Sequence, residues 1–382
     1  MSITALAQAR IFDGSRWHDN AAILIRAGTV LAIVPRSDIP GDAAIETMHG
    51  GMLVPGFIDA QVNGGGGVLL NDEPTSRAME RIWQAHRRLG TCRLLPTLIT
   101  TTPERMAAAL QAARAAPGGI AGLHLEGPYL SAKRRGVHDE RMMAAMGDAD
   151  VDRLLSAGIR IVLTVAPEQV TPILVRRLVD GGVIVSLGHS DASYDEAMAL
   201  IDAGASGITH LFNAMSPLQG RAPGLVGAAL DAGSVWCGII CDGLHVAPAT
   251  LRIALRAKRP PGRLFLVTDA MPTVGWAGSS FMLGDRRIEQ RGTRLVWIGE
   301  DGHEVLAGAH LDMGAAVRFC VSTLELPIDE ALRMASLYPA QFLRLDSSHG
   351  RIAPGYTADV VHLDAGLQVR RTWVAGQATS SA

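Results

Sequence analysis

The chain has 382 residues, 48 % of them hydrophobic, and a formal net charge of −2 from 35 Lys and Arg against 37 Asp and Glu residues. This length allows one large domain and a smaller one. The near-neutral charge gives no electrostatic reason to expect binding to nucleic acid or to an anionic membrane. The first residues lack a signal-peptide pattern, and no segment approaches the roughly 20 apolar residues of a membrane span. We therefore expect a protein that acts on small molecules, with the cytoplasm as its default location.

The four cysteines show neither zinc-ribbon nor C-x-x-C spacing, so free thiols in a reducing compartment are expected. They are Cys92, Cys237, Cys241 and Cys320. Two of them form "CGIIC" inside an apolar run, where a spacing of four places both on one face of a strand. We interpret this pair as small buried hydrophobic residues, not as metal ligands.

The two ends of the chain share one pattern. The first fifty residues, including "ITALAQARIFDGSRWHDNAAILIRAG", give short strands broken by Asp-Gly and Ala-Gly turns. The last thirty, "GRIAPGYTADVVHLDAGLQVRRTWVAGQ", give short strands with Pro-Gly and Ala-Gly turns. This similarity predicts that residues 1–51 and 349–382 together form one small β domain.

Between the ends, residues 52–348 alternate short apolar runs with longer amphipathic segments, which is typical of βα units around a parallel sheet. Four of the helical segments are "SRAMERIWQAHRRLG", "PERMAAALQAARAA", "TPILVRRLVDGG" and "SYDEAMALIDAGA". The apolar runs are "GMLVPGFIDAQ", "TCRLLPTLIT", "GIAGLHLEG", "IRIVLTVAPE", "GVIVSLGHS", "SGITHLFNA", "SVWCGIICDG" and "RLFLVTDA". Eight such units predict an α/β fold, a (β/α)₈ barrel.

Polar residues end five of these runs. Because the active site of such a barrel lies at the carboxyl ends of its strands, these residues should converge on one mouth. They are Gln61 in the first run, Glu126 in the third, His189 in the fifth, His210 in the sixth and Asp269 in the eighth. Each one alone could equally be a capping or hydrogen-bonding residue. The prediction of a functional site therefore depends on all five occurring together at the strand ends.

Two imidazoles and a carboxylate make a three-ligand catalytic metal site with a position open for water or substrate. We therefore predict that Glu126, His189 and His210 bind a metal ion that activates water. Asp269 is then the catalytic proton shuttle, since a carboxylate beside such a water can take its proton and pass it to a departing amine. The alternative is that Asp269 caps the helix that follows it.

Several other polar residues follow the strand ends. Asn213 and Arg221 lie in "HLFNAMSPLQGRAPGLVG", where a guanidinium suits a phosphate or carboxylate. His138 and His245 follow the third and seventh runs and could contact an anionic substrate. The alternative for each is an ordinary surface role. We interpret His86, His303 and His310 as structural, and "NGGGG" as a close backbone approach, since it lacks the P-loop Lys-Ser/Thr.

Several motifs of the chain resemble those of a known family. "VPGFIDAQVNGGGG", "GLHLEGPYL", "VSLGHSDA", "ITHLFNAMSPLQGRAPGLVG", "CDGLHV", "LVTDAMP" and "VLAGAHLDM" are similar to the N-acetylglucosamine-6-phosphate deacetylases of the amidohydrolase superfamily. The resemblance covers nearly the whole chain. It implies a small β-sandwich domain from the chain ends, hydrolysis of N-acetylglucosamine 6-phosphate to glucosamine 6-phosphate and acetate, a role in amino-sugar metabolism, and a homodimer.

The resemblance also implies site residues. Glu126, His189 and His210 match the metal ligands of the family, and Asp269 matches its catalytic acid and base. The segments that match substrate contacts contain Val137, His138, Asn213, Ala214, Arg221, Asp242, His245, Leu306, Ala307 and Gly308. In the family, a residue like Arg221 or His245 serves a phosphate bound in the neighbouring subunit.

One departure concerns the first strand, where Gln61 and Asn63 stand in place of the His-x-His of many amidohydrolases. Neutral amides are weak metal ligands beside imidazole. We therefore predict one divalent ion per subunit, zinc with manganese, iron and cobalt as alternatives, and expect Gln61 and Asn63 to hydrogen-bond water or substrate. Rival hypotheses are a deacetylase for N-acetylgalactosamine 6-phosphate, another amidohydrolase, or a metal-free barrel that works as a binding or assembly protein.

Overall fold

The computed structural model describes residues 2–299 and 302–379 of the chain. These residues form two compact units. The smaller unit contains the described residues of Met1–Asp59, His86–Arg93 and Asp312–Ala382, and the larger unit contains those of Ala60–Ala85 and Leu94–Leu311. The assignment of residues 1–51 and 349–382 to a separate domain stays a prediction.

The smaller unit is built on two β-sheets that contain both ends of the chain. Strand Val360–Leu363 pairs antiparallel with Met52–Pro55, which in turn pairs with Arg10–Phe12, so segments from both ends of the chain share one sheet. Leu6 and Ile23 from the other sheet pack with Trp373 in one apolar core, which makes a β-sandwich. The four-stranded sheet has the order Thr29–Pro35, Ala21–Arg26, Thr4–Ala7 and Ala44–Thr47; the six-stranded sheet has the order Gln377–Ala378, Val369–Val374, Val360–Leu363, Met52–Pro55, Arg10–Phe12 and Trp17–His18.

The eight predicted runs contain the eight strands of one sheet, in which each strand neighbours the next along the chain. Pairs from the second strand onward are parallel, as in Leu125 beside Leu98 and Leu163 beside Leu125. Their residues are buried on both faces, which is typical of strands between a barrel interior and outer helices. Barrel strands 1 to 8 are Phe57–Val62, Thr91–Ile99, Leu123–Glu126, Ile161–Val165, Ile184–Leu187, Gly207–Ile208, Trp236–Ile239 and Leu264–Leu266.

The sheet closes where the chain beyond barrel strand 8 meets barrel strand 1. Val62 forms a parallel bridge with Ala270, and the Asp269 N–H donates to the Gln61 carbonyl oxygen at 3.0 Å. The predicted (β/α)₈ barrel is thereby confirmed, and the carboxyl ends of its strands gather at one mouth.

The helices begin where the sequence supplies start signals. Thr102, Thr171 and Ser193 each accept a hydrogen bond from a backbone N–H of the first turn, and Ser193 forms a capping box with Glu196. The helices are Ser76–Arg87, Pro103–Arg114, Asp148–Leu155, Pro172–Asp180, Tyr194–Asp202, Gly224–Asp231, Pro248–Ala257, Met313–Ser322, Ile328–Ala335 and Leu337–Phe342. Within the described ranges, no helix is both long and apolar enough to cross a bilayer.

The first apolar run is divided between two sheets. Met52–Pro55 belongs to the sandwich, and barrel strand 1 begins only at Phe57. Gly56 lies between them, and a Cβ atom there would approach Cys92 Sγ to 2.4 Å. A side chain at this position would therefore push the backbone away from Cys92 of barrel strand 2.

A small antiparallel sheet follows barrel strand 8. Its strands are Ser280–Leu283, Arg286–Arg291, Arg294–Ile298 and Glu304–Leu306. Leu283 and Ile288 from this sheet pack against Leu69, Ile99 and Met271. It thus covers one side of the barrel mouth.

Candidate active site

Three predicted ligands converge at the barrel mouth. Glu126 ends barrel strand 3, and His189 and His210 follow barrel strands 5 and 6. Glu126 Oε1 lies 2.8 Å from His210 Nε2 and 3.2 Å from His189 Nε2, and the two Nε2 atoms are 3.1 Å apart. All three side chains are buried.

The backbone at these positions is unusual. His189, His210 and Asp269 have φ angles of 48°, 31° and 51°. Residues with a Cβ atom rarely adopt this left-handed region, at a cost of about 1 to 3 kcal/mol each. The surrounding barrel fixes these conformations, and they direct three side chains into one small volume.

The donor set suits a divalent metal ion. His189 Nδ1 donates to the Arg134 carbonyl oxygen at 2.8 Å, which leaves a lone pair on His189 Nε2. Ligand atoms about 2.1 Å from a tetrahedral ion stand about 3.4 Å apart, somewhat more than the separations among Glu126, His189 and His210. Two imidazoles and a carboxylate are donors that transition metals prefer. The residues present therefore fit such an ion.

The electrostatics of the cluster also favour a positive charge between its members. Burial opposes ionisation of Glu126, but the close pairing of its carboxylate with the imidazoles of His189 and His210 holds its pKa well below the usual value. Burial alone would lower the pKa of His210, yet the hydrogen bond to Glu126 raises it. A proton or a metal ion supplies the charge that these atoms stabilise.

Asp269 lies beside this cluster and is held by the two amides of barrel strand 1. Asp269 Oδ1 accepts from Asn63 Nδ2 at 2.6 Å and from Gln61 Nε2 at 3.1 Å. Gln61 Nε2 also donates to Glu126 Oε1 at 3.2 Å. Gln61 and Asn63 therefore contact carboxylates here, and their predicted contact with water or substrate stays a prediction. Burial, together with the charge of Glu126, raises the pKa of Asp269.

His138 lies near the cluster, but its ring hydrogen is on a different nitrogen from that of His189. Ligand atoms of Glu126, His138 and His189 all lie within 4.8 Å of one another, which by distance alone makes His138 a further ligand candidate. However, His138 Nδ1 accepts from the Thr100 backbone N–H at 3.4 Å and lies 2.8 Å from Thr100 Oγ1. Burial lowers the pKa of His138 to about 3, so its ring is neutral. Because Nδ1 accepts from the Thr100 N–H, the ring hydrogen is on Nε2. We infer that His138 is a hydrogen-bond donor to the cleft and not a ligand.

His245 follows barrel strand 7 and lines the same cleft. Its Nδ1 donates to Asp242 Oδ2 at 2.7 Å. Burial opposes ionisation of Asp242, but the hydrogen bond from His245 lowers its pKa below the usual value. The carboxylate thus fixes the orientation of the imidazole.

These groups line a cleft of about 200 Å³. Most predicted site residues take part in the lining: Asn63, Glu126, Val137, His138, His189, His210, Asn213, Ala214, His245, Asp269, Leu306 and Gly308. Gln61 bonds to Asp269, which lines the cleft, and Asp242 orients His245. Ala307 is fully buried between two residues of the lining. Arg221 is exposed on its loop, outside the lining of this cleft.

Comparison with known proteins identifies the family. The model of the amidohydrolase family matches residues 52–379. The chain belongs to the amidohydrolase family. A Shewanella protein named N-acetylgalactosamine-6-phosphate deacetylase is 40 % identical and aligns over 97 % of this chain and 94 % of its own. The human N-acetylglucosamine-6-phosphate deacetylase is 38 % identical over 86 % of this chain and 83 % of its own.

Solved structures agree with this assignment. The N-acetylglucosamine-6-phosphate deacetylase of Pasteurella multocida superposes with a TM-score of 0.94 at 34 % identity, over 99 % of this chain and 100 % of that one. A mutant of the Mycobacterium smegmatis enzyme, in complex with N-acetyl-D-glucosamine-6-phosphate, superposes with a TM-score of 0.89 at 33 % identity, over 99 % of both chains.

A larger cleft of about 650 Å³ adjoins the candidate active-site cleft of this amidohydrolase and shares Ile99, Val137 and His138 with it. Its walls carry paired charges, including the ion pairs of Arg135 with Glu140 and of Arg141 with Asp139. These pairs offset one another, so the larger cleft is not strongly basic. The Glu126, His189 and His210 cluster lines the smaller cleft, which is therefore the candidate active site.

Several residues in and around the candidate site were not predicted from the sequence. Ile99, Ile240 and Met271 line the cleft, and Thr100 orients His138. His124 lies two residues before Glu126 on barrel strand 3, so the period of two places both in the barrel interior. Burial lowers the pKa of His124 to about 4. The alternation in "LHLE" was the available signal for this histidine.

Proposed function

We propose that this amidohydrolase hydrolyses N-acetylglucosamine 6-phosphate to glucosamine 6-phosphate and acetate, in amino-sugar metabolism. One observation carries the proposal: a buried carboxylate, Asp269, lies beside the Glu126, His189 and His210 cluster with one oxygen fixed by two amides. The name of the human relative and the bound phosphosugar of the Mycobacterium smegmatis relative support the substrate.

Glu126, His189 and His210 would hold one divalent ion per subunit, with zinc as the first candidate and manganese, iron or cobalt as alternatives. When bound, such an ion lowers the pKa of a water molecule and polarises an amide carbonyl. His189 is prepared for this role by its bond to the Arg134 carbonyl, which keeps Nε2 free of hydrogen.

Asp269 moves the proton. Its Oδ1 is occupied by the amide hydrogens of Gln61 and Asn63, so Oδ2 takes the proton from the attacking water. The raised pKa of Asp269, caused by burial and then by Glu126, favours donation of that proton to the departing amine. Meanwhile, the Nε2 hydrogen of His138 stabilises the negative charge that develops on the acetamide oxygen.

The phosphate would be bound at a distance from the reacting carbon, so that its binding energy orients the substrate. His245 faces the cleft, whereas Arg221 is exposed outside the cleft lining. We infer a cytoplasmic homodimer in which Arg221 serves the phosphate in the neighbouring subunit. The resemblance to the deacetylases and the exposure of Arg221 support this arrangement.

Steady-state acetate release tests the proposal. The purified protein, with its metal content measured, is compared on N-acetylglucosamine 6-phosphate, N-acetylgalactosamine 6-phosphate and both sugars without phosphate. We expect the highest kcat/KM for the gluco phosphosugar. A preference for the galacto epimer, as the name of the 40 % identical Shewanella relative suggests, would replace the substrate but keep the chemistry. No acetate release with added Zn²⁺ or Mn²⁺ would refute the enzyme hypothesis.

A further inference from the structure

Below the reactive cleft, five buried polar side chains form a continuous interior hydrogen-bond chain. Thr97 Oγ1 lies 3.1 Å from His124 Nδ1, and His124 Nε2 lies 2.8 Å from Thr164 Oγ1. Thr209 Oγ1 then lies 2.7 Å from both Thr164 Oγ1 and Ser186 Oγ. Each of the five side chains is buried.

All donors in the interior hydrogen-bond chain can point in the same direction, from Thr97 to Ser186. The Val62 N–H donates to Thr97 Oγ1 at 2.9 Å, so the Thr97 hydroxyl is free to donate to His124 Nδ1. A neutral imidazole then donates from Nε2 to Thr164. The Thr164 hydroxyl donates to Thr209, whose hydroxyl donates to Ser186. Each of the four links then joins one donor to one acceptor, so all five buried side chains have a hydrogen-bond partner.

This interior hydrogen-bond chain connects six barrel strands just below the proposed metal ligands. His124 precedes Glu126 by two residues, Ser186 precedes His189 by three, and Thr209 immediately precedes His210. Val62 stands between Gln61 and Asn63 at the end of barrel strand 1.

The polar content of this layer is unusual, because barrel interiors are generally filled by branched apolar side chains. Apolar packing tolerates small sliding movements between strands. A connected network of buried hydrogen bonds instead favours one arrangement. The interior hydrogen-bond chain joins the strands that carry the three proposed ligands. The positions of these strand ends must be fixed to within a few tenths of an ångström for the ligands to share one ion.

We propose that the interior hydrogen-bond chain of Thr97, His124, Thr164, Thr209 and Ser186 sets the spacing of the strand ends and thereby positions Glu126, His189 and His210 for metal binding. These five are positioning residues, since they act through the ligands. The inference rests on the proposed function, because it assigns the network to the metal site of that reaction.

Thr164→Val tests the inference, since it removes the central hydroxyl at nearly constant volume. Thr164→Ser keeps the hydroxyl and is the rescue variant. Leu163→Val is the control: Leu163 is adjacent on the same strand, so its side chain faces the other side of the sheet. The Zn²⁺ affinity of each full-length protein is measured by competition with a coloured chelator, alongside unfolding by urea and the kcat and KM at saturating Zn²⁺.

We expect Thr164→Val to bind Zn²⁺ about 10- to 100-fold more weakly, the range found when groups supporting metal ligands are removed. Its kcat should fall with little change in KM, and Thr164→Ser should restore both affinity and kcat. Leu163→Val should lower the urea midpoint without weakening Zn²⁺ binding. Ser186→Ala removes the last hydroxyl of the interior hydrogen-bond chain. It is a milder second test that applies if Thr164→Val does not fold.

The outcomes separate this inference from the proposed function. If the wild-type protein binds no divalent ion, both fail. If the wild type binds Zn²⁺ and releases acetate while Thr164→Val, or Ser186→Ala in its place, binds Zn²⁺ equally well, the positioning role fails and the proposed function stands. A loss of affinity in Leu163→Val equal to that in Thr164→Val would also overturn it, because general destabilisation would then explain the effect.

Discussion

Replacing Asn63 by alanine removes the 2.6 Å hydrogen bond to Asp269 Oδ1 and leaves the Gln61 contact in place. Hydrogen bonds to charged groups contribute about 1.5 to 3 kcal/mol. At about 1.36 kcal/mol for each tenfold change in rate, the loss corresponds to a kcat about 10- to 150-fold lower. KM should change little, since the bond orients the proton carrier and not the sugar.

Acetate release at saturating substrate and Zn²⁺ measures this effect, with bound metal determined for each protein so that lost metal is not read as lost chemistry. Asn71→Ala is a suitable control, because the Asn71 side-chain amide bonds to the backbone of Ile99 at the same end of the barrel. If Asn63→Ala carries its full metal and keeps kcat within about twofold of the wild type, the Asn63 amide does not position Asp269 for proton transfer.

Three further predictions concern the proton carrier, the hydrogen-bond donor and the thiols. Asp269→Asn should retain metal and substrate binding but lose about three orders of magnitude in kcat, and near-normal turnover would remove Asp269 from the mechanism. His138 has a folded-state pKa of about 3 against an ordinary 6.5, so the unfolded chain takes up a proton below pH 6.5 that the folded chain does not. Stability present above pH 6.5 is therefore lost on acidification, by at most about 1.4 kcal/mol per pH unit, and urea unfolding should show a shallower pH dependence for His138→Gln. Burial raises the pKa of Cys237 to about 12 and that of Cys92 well above its usual value, so a thiol reagent should label the unfolded chain but not the native one; rapid native labelling would contradict the buried placement.

Much of the fold was predictable because its signals are local. Each apolar run is long enough to be buried on both faces, and helix caps such as Thr171 and Ser193 are visible in the sequence. The division of the first run at Gly56 was not predictable, since the reason is contact with Cys92 on another strand. The small sheet after barrel strand 8 was missed because its polar, exposed strands lack a strong apolar alternation.

The positions of Glu126, His189 and His210 were predictable because strand order alone brings strand ends together. The partners of Gln61 and Asn63 were not, because Asp269 lies more than 200 residues away and reaches them only through barrel closure. The orientation of the His138 ring depends on Thr100, which no spacing rule connects to it. Contacts of this kind arise from register and rotamer, which a single sequence does not display.

The closure of the barrel has a further consequence. The Asp269 backbone donates to the Gln61 carbonyl, while the Gln61 side chain donates to the Asp269 carboxylate, so one pair of residues fastens the seam twice. If barrel strands 1 and 8 separate locally, Asp269 loses its position. Catalysis should then stop before the remaining strands separate. Heat inactivation should therefore begin below the temperature of global unfolding, and the exchange rate of the Asp269 amide hydrogen should report how often the seam opens.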